Sequence, residues 1–365
     1  SISVLKDASS AAIYGARAPF GVVLITTKKG NTDGTITVNY NSNFIMSTML
    51  GTPHMESSVT YANAYNQAAA NAGSAPVFQE EQVQRMRDYI AGTFPYEYSP
   101  DNPPNSIWAG RRVGNANYDY LYELLKENKF DHKHNVTVSG GNERTQFNVS
   151  MGYFDEGGFY AVGYDEYKRY DLLANLDTEV NDWLSFGLNT KYANSVRDYP
   201  IGITTVDRGH NFSNEMYHFA PNTPMYNIDG SVAQPIFRNI ESAGRDVTKE
   251  NDMLIALRAT LEPIKGWRTT ASFNYNYTVR NVESNPKPVW VDLGDGSRGN
   301  VGKPGTAYQS STSTAPYKLF TLVSSYEKQL GDHYFQVLAG YEREEDNYNW
   351  QTLFIGLQVP KLLDE

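Results

Sequence analysis

The sequence predicts an all-β chain, part of a transmembrane antiparallel β-barrel of about nine strands, with a partly helical first long link. Three observations predict it. Segments of about ten residues alternate apolar and polar side chains, as a sheet between two media requires. Short and long connections take turns along the chain. The polar positions carry Asn, Ser, Thr, Gly and Gln rather than the Lys and Glu of an exposed soluble sheet.

The bulk composition narrows the classes. The chain has 365 residues, a formal net charge of -10 and no cysteine. Disulfides, thiolate metal sites and Cys nucleophiles are thereby excluded. An acidic chain without a basic stripe sets nucleic acid aside as a partner. No stretch approaches the roughly 20 apolar residues of a membrane-spanning helix, but the half-polar strands of a membrane barrel never do. The chain opens on Ser1 without a signal peptide, so its start is expected upstream.

Taken in order, the opening Ala8 to Gly30 reads as a helical turn, glycine breaks and the apolar run Val22 to Thr27. That run is expected to pair with strands preceding this chain. Strands then follow at 36–46, 134–140, 146–156, 167–179, 184–197, 253–262, 267–280, 317–329 and 333–345. Phe147, Val149, Met151 and Tyr153 alternate with Gln146, Asn148, Ser150 and Gly152. Ala271, Phe273, Tyr275, Tyr277 and Val279 alternate in the same way with Ser272, Asn274, Asn276 and Thr278. Tight links fall at 141–145, 180–183, 263–266 and 330–332, and long ones at 47–133, 157–166, 198–252 and 281–316. An up-and-down sheet then carries every tight turn on one rim and every long link on the other, as transmembrane barrels do. In the first long link, Val59 to Ala72 is alanine-rich. Phe78 to Ile90 and Tyr118 to Lys129 show helical spacing, the latter through Tyr118, Leu121, Tyr122 and Leu125.

Few residues suggest chemistry. His132 and His134 share a strand face, but two ligands do not make a metal site, and a polar strand end is the plainer reading. Asp292 to Asn300 lacks the spaced carboxylates of a calcium loop and reads as a turn. No nucleophile elbow, phosphate-cradling loop or convergent acid, base and nucleophile set is present, so no enzyme, cofactor or metal is expected. Tyr192, Trp183, Trp267 and Tyr341 at strand ends suit an interfacial girdle. Trp108, Tyr96, Tyr98, Trp290 and Tyr308 lie in long links and are the candidates for contact with a sugar ring or peptide side chain. Arg258 alternates with Leu257 and Ala259 and is expected to face a lumen, since a charge facing lipid costs roughly 2–4 kcal/mol near the midplane.

Val4 to Gly30, "VLKDASSAAIYGARAPFGVVLITTKKG", resembles the end of the plug domain of TonB-dependent outer-membrane transporters, in the form seen in the SusC/RagA family. "VSGGNERTQFNVSMGYFDEGG" (138–158), "RYDLLANLDTEVNDWLSFGLN" (169–189), "APNTPMYNIDGS" (220–231) and "LEPIKGWRTTASFNY" (261–275) are similar to its hairpins and outer-loop motifs, in order. The resemblance implies a fragment. Residues 1–33 would be the end of a plug, carrying Lys6, Asp7, Tyr14, Gly15, Arg17 and Gly21 of the plug motif, and 34–365 the first part of a barrel of about 22 strands. It implies import of a large nutrient, an oligosaccharide or a peptide, across the outer membrane of a Gram-negative bacterium. The partners it implies are a SusD-like surface lipoprotein, the TonB complex acting through an upstream segment, and outer-membrane lipid. The alternative is a barrel receptor or adhesin that binds without transporting.

Overall fold

A computed structural model describes residues 2–6, 20–25, 30–51, 53–106, 109–201, 219–300 and 306–357. Two short strands come first, β1 (Ile2–Leu5) and β2 (Val22–Ile25), paired antiparallel with Leu5 opposite Val22. The expectation that the Val22 run finds its partner only outside this chain is therefore corrected. Four residues of β1 are too few for alternation to mark them. Gly21 makes the pairing possible with φ +95°, where a Cβ would lie 2.9 Å from the Leu5 carbonyl oxygen.

The main sheet contains β3 (Thr37–Thr48), β4 (Asn128–Gly141), β5 (Thr145–Gly157), β6 (Glu166–Asn181), β7 (Leu184–Pro200), β8 (Gly244–Ile264) and β9 (Trp267–Pro286). A small hairpin, β10 (Trp290–Asp292) and β11 (Arg298–Asn300), precedes β12 (Thr306–Leu330), β13 (His333–Asp346) and β14 (Asn349–Leu357). The ten sheet strands are antiparallel and sequential neighbours, with β12 beside β9 and both β13 and β14 beside β12. β14 continues the line of β13 after a break at Asn347 and Tyr348, opposite Ala315 and Pro316. The Pro316 carbonyl still accepts from Asn347 N–H at 3.1 Å, but proline has no N–H to return on that side. All nine expected strands are present. Among the described residues no helix is long and apolar enough to cross a membrane, which says nothing about crossing by strands.

Register turns the alternation into two faces. One ladder row joins Phe147, Leu176, Leu188, Leu257, Phe273 and Phe320 from β5 to β12. The row two residues away joins Val138, Val149, Ala174, Thr190, Ile255 and Tyr275. On this face each main-sheet strand from β3 to β13 offers four consecutive positions without Asp, Glu, Lys or Arg, displaced toward the tight-turn end at β12 and β13, where the first row meets Arg343 and the second Lys318. At about 4.8 Å between strands and about 6.7 Å between same-face residues, the belt is roughly 38 Å wide and 20 Å high. Nothing among the described residues covers it. Met151 is 59 % exposed, Leu257 48 % and Val337 67 %. The opposite face carries the row Ser139, Asn148, Asn175, Asn189, Ala256 and Asn274.

The tight links all lie at one end of this sheet, and the four long links lie at the other. In the first, α1 (Ser58–Asn71) is capped by Ser57, whose hydroxyl accepts from Thr60 N–H at 3.1 Å. α2 (Glu80–Ile90) starts with two acids and ends near Arg87, matching the helix dipole. Ala62, Phe78, Val83 and Met86 form their shared core. α3 (Gly110–Val113) and α4 (Tyr120–Leu124) follow. The helix expected over Tyr118 to Lys129 is thus reduced to α4. Leu125 bridges to Tyr160, Lys126 N–H donates to Phe159 O, and Asn128 already pairs with Thr48, so sheet contacts override the helical spacing. α5 (Pro235–Ser242) lies in the third long link.

Candidate functional site

The long links fold into a single cap, and its anchor is the segment 219–234. Ala220, Asn222, Thr223, Met225, Asn227 and Gln234 are buried there. Two prolines and a tight turn prevent the segment from pairing as a strand, so its backbone groups are satisfied by side chains from the other links. Asn222 Nδ2 donates to the carbonyls of Arg111 and Gly114, both at 3.1 Å. Tyr120 Oη donates to Thr223 O at 2.6 Å, and Tyr118 N–H donates to Pro221 O. Glu97 collects four donors: the hydroxyls of Tyr89 and Tyr118 and the backbone N–H groups of Met225 and Tyr226. Asn227 Nδ2 reaches into the fourth link and donates to Asp292 O at 2.8 Å. The second link joins through Tyr160 and Val162, which pack on Tyr120, Leu121, Leu124, Phe219, Met225 and Ile240. Burial first, then the Glu97 carboxylate, push the Tyr118 hydroxyl far above its ordinary pKa, and burial does the same for Tyr120.

Below the cap, the polar face is charged as well as amide-lined. Arg258 lies on it, opposite in parity to Leu257, and its Nη2 is 2.7 Å from Asp177 Oδ1. Gly187 stands between them in the ladder. A Cβ there would meet Arg258 Nη2 at 3.0 Å and Asp177 Oδ1 at 3.1 Å, so glycine leaves room for the pair to close. Lys191 with Asp252 (3.3 Å) and Arg169 with Asp171 (2.7 Å) add two more pairs on the same face. Alternation marks these residues as polar-parity, and only the register shows that they meet.

The aromatic candidates do not converge. Tyr98 is 1 % exposed; its hydroxyl accepts from Ile228 N–H at 3.1 Å and lies 3.4 Å from Asn227 Oδ1. Tyr96 is exposed and packs edge-on to Phe94. Trp290 is exposed under the Arg298 guanidinium, 5.9 Å from the ring centre. Tyr308 stands on β12, opposite Ile355. Trp108 lies outside the described residues, as do Asp7, Tyr14, Gly15 and Arg17, while Lys6 and Gly21 flank the β1–β2 pair. His132 and His134 sit in an aromatic cluster with Phe44, Tyr40 and Tyr153, and His134 Nδ1 is 2.7 Å from the Tyr40 hydroxyl. Asp292 to Asn300 is the β10–β11 turn; Asp295 accepts from Ser297 N–H and Oγ, which hold its carboxyl below the usual range. Sequence reasoning missed Glu97 and Asn222 as anchors, although the quoted 220–231 motif marked their meeting place.

No family model matches the chain. TonB-dependent receptor P26 of Formosa agariphila is 27 % identical over 338 residues, 87 % of this chain and 29 % of that protein. TonB-dependent receptor P3 of the same organism is 25 % identical over 360 residues, 94 % of this chain and 30 % of that protein. TonB-dependent receptor SusC of Bacteroides thetaiotaomicron is 28 % identical over 202 residues, 54 % of this chain and 16 % of that protein. A chain of the RagAB peptide importer in its open-open state superposes with a TM-score of 0.70 at 21 % identity, over 99 % of this chain and 40 % of that one. The chain therefore spans less than a third of the length of the curated relatives it matches. Its homologues are TonB-dependent receptors, SusC among them, and its fold is the one found in RagAB, as the sequence resemblance to the SusC/RagA family implies.

Proposed function

We propose that this chain is the end of the plug and the first part of the transmembrane barrel of a TonB-dependent transporter in the outer membrane of a Gram-negative bacterium. The whole protein imports a large nutrient, an oligosaccharide before a peptide, with a SusD-like lipoprotein over the cap and the TonB complex as energy source. The observation that carries this reading is the uncovered apolar belt backed by a face of amides and ion pairs. A belt roughly 38 Å by 20 Å exceeds the few hundred Å² that soluble monomers leave exposed, and its height fits a barrel's apolar band. Residues 1–33 are the plug end and 34–365 the barrel part; in this reading Arg258 faces the lumen, and the long links meet substrate and lipoprotein. The experiment is membrane fractionation of cells expressing the full-length protein, with electrophoresis before and after heating. Outer-membrane recovery and heat-modifiable mobility are expected. Recovery in the soluble fraction without a mobility shift overturns the reading.

A further inference from the structure

Beside the cap's anchor, α1 and α3 border a cavity of about 640 Å³. One wall is aromatic: Tyr61 and Tyr65 have ring centres 4.6 Å apart, and both lean on Phe78. Arg111, Arg112, Asn102, Asn105 and Ser106 share the lining, with Arg111 close enough to Tyr61 to act on its hydroxyl. In a chain with 41 acidic residues, the described lining contains no Asp or Glu. Neither arginine takes part in the ion pairs found among the described residues.

The two arginines are nevertheless fixed through their backbone. Arg111 O accepts from Asn222 Nδ2 at 3.1 Å, and Arg112 O accepts from Gln82 Nε2 at 2.7 Å. Gly110 and Gly114 at the ends of α3 are packed so closely on Pro224 and Asn222 that a Cβ would collide with them. The fold thus fixes the backbone of both arginines at a cavity with an aromatic wall, and the described lining supplies no counter-charge. Guanidinium pairs match the planar, two-oxygen geometry of a carboxylate. Tyrosine rings match the apolar face of a sugar ring, and neutral amides, which donate and accept, match its hydroxyls. Burial and Tyr65 push the Tyr61 hydroxyl up to about 12 against the lowering pull of Arg111. An acidic peptide offers the arginines the same carboxylate but no sugar ring for the tyrosine wall, so a peptide is the control that separates the two.

We propose that this cavity is a subsite for a carboxylate-bearing sugar residue, its ring on Tyr61 and Tyr65 and its carboxylate between Arg111 and Arg112. The proposal rests on the transporter reading above and narrows its substrate class to an acidic glycan.

The test uses the full-length protein, purified from outer membranes in detergent. Binding is measured by calorimetry for oligogalacturonate, oligoalginate and hyaluronan oligosaccharides, their methyl esters, neutral maltoheptaose and a glutamate-rich peptide. At least one free acid is expected to bind, and its ester to bind at least tenfold more weakly. Arg111→Gln and Arg112→Gln should each weaken the acid roughly tenfold, the loss expected for a charged hydrogen bond, and Tyr65→Ala should weaken acid and ester alike. Binding by none of the acids, binding unaffected by the Arg111→Gln/Arg112→Gln double substitution, or capture of the peptide alone overturns the proposal. Heat-modifiable mobility of each variant shows that the barrel has folded. A protein that passes that check and binds no acidic sugar sinks the subsite and leaves the transporter reading standing.

Discussion

Along β8 and β9 each rung, from Gly244 opposite Pro286 to Ile264 opposite Trp267, is made within one hairpin. In the cap, Glu97 holds the N–H groups of residues 128 and 129 positions away. The sheet is a repetitive structure in which neighbours in sequence are neighbours in space, so losing one rung leaves the rest. The cap closes long loops around a few shared acceptors and one small core, and each of those carries several segments at once. Damage should therefore stay local in the sheet and spread in the cap.

The largest effect expected is from Tyr120→Ala. It empties the centre of the cap core and removes the donor to Thr223 O, at a cost of about 3–5 kcal/mol. Hydrogen exchange should rise across all four long links while heat-modifiable mobility persists; a rise confined to α4 would break the distinction. Next is Leu257→Arg in the apolar belt, worth about 2–4 kcal/mol. It should lower the folded fraction in a urea titration of the refolded barrel and leave cap exchange unchanged. Glu97→Gln keeps the shape but weakens four bonds to a charged acceptor, costing about 1–3 kcal/mol in the cap alone, read by limited proteolysis at 219–234. Arg258→Ala is the mildest. Its pair with Asp177 is partly exposed and worth at most about 1 kcal/mol, so stability should barely move.

Alkali sharpens the same contrast. Tyr89, Tyr118 and Tyr120 have folded pKa values above their ordinary value of 10. Above that value the unfolded chain loses protons that the folded cap retains, so cap stability is intact below about pH 10 and falls as pH rises beyond it. Tyrosinate absorbance and cap exchange should rise together.

The sheet was legible where its two sides meet different surroundings. Phe147, Met151, Phe273 and Tyr277 alternate with amides, and those segments emerged with correct parity. The outer ends of β8, β9 and β12, such as Arg245 to Asp252 and Gln309 to Thr314, are polar at both parities and carry no period. Those strands are accordingly 21, 20 and 25 residues long, beyond what alternation alone marks. In the cap, α1 and α2 were legible from local spacing. Glu97 and Asn222 were not, because their partners lie in other links and no local pattern encodes a meeting across a hundred positions; Arg111 and Arg112 meet Gln82 and the tyrosine wall within their own link, at separations no helical or strand period spans.

The missing amide of Pro316 has a mechanical consequence. It leaves a single bond, from Asn347 N–H to Pro316 O, between a lower run with β13 and an upper run with β14, like a perforation in a sheet of paper. In the transporter reading, strain that peels the upper flap is expected to stop at this notch, so that the rim deforms while the lower run with β13 holds.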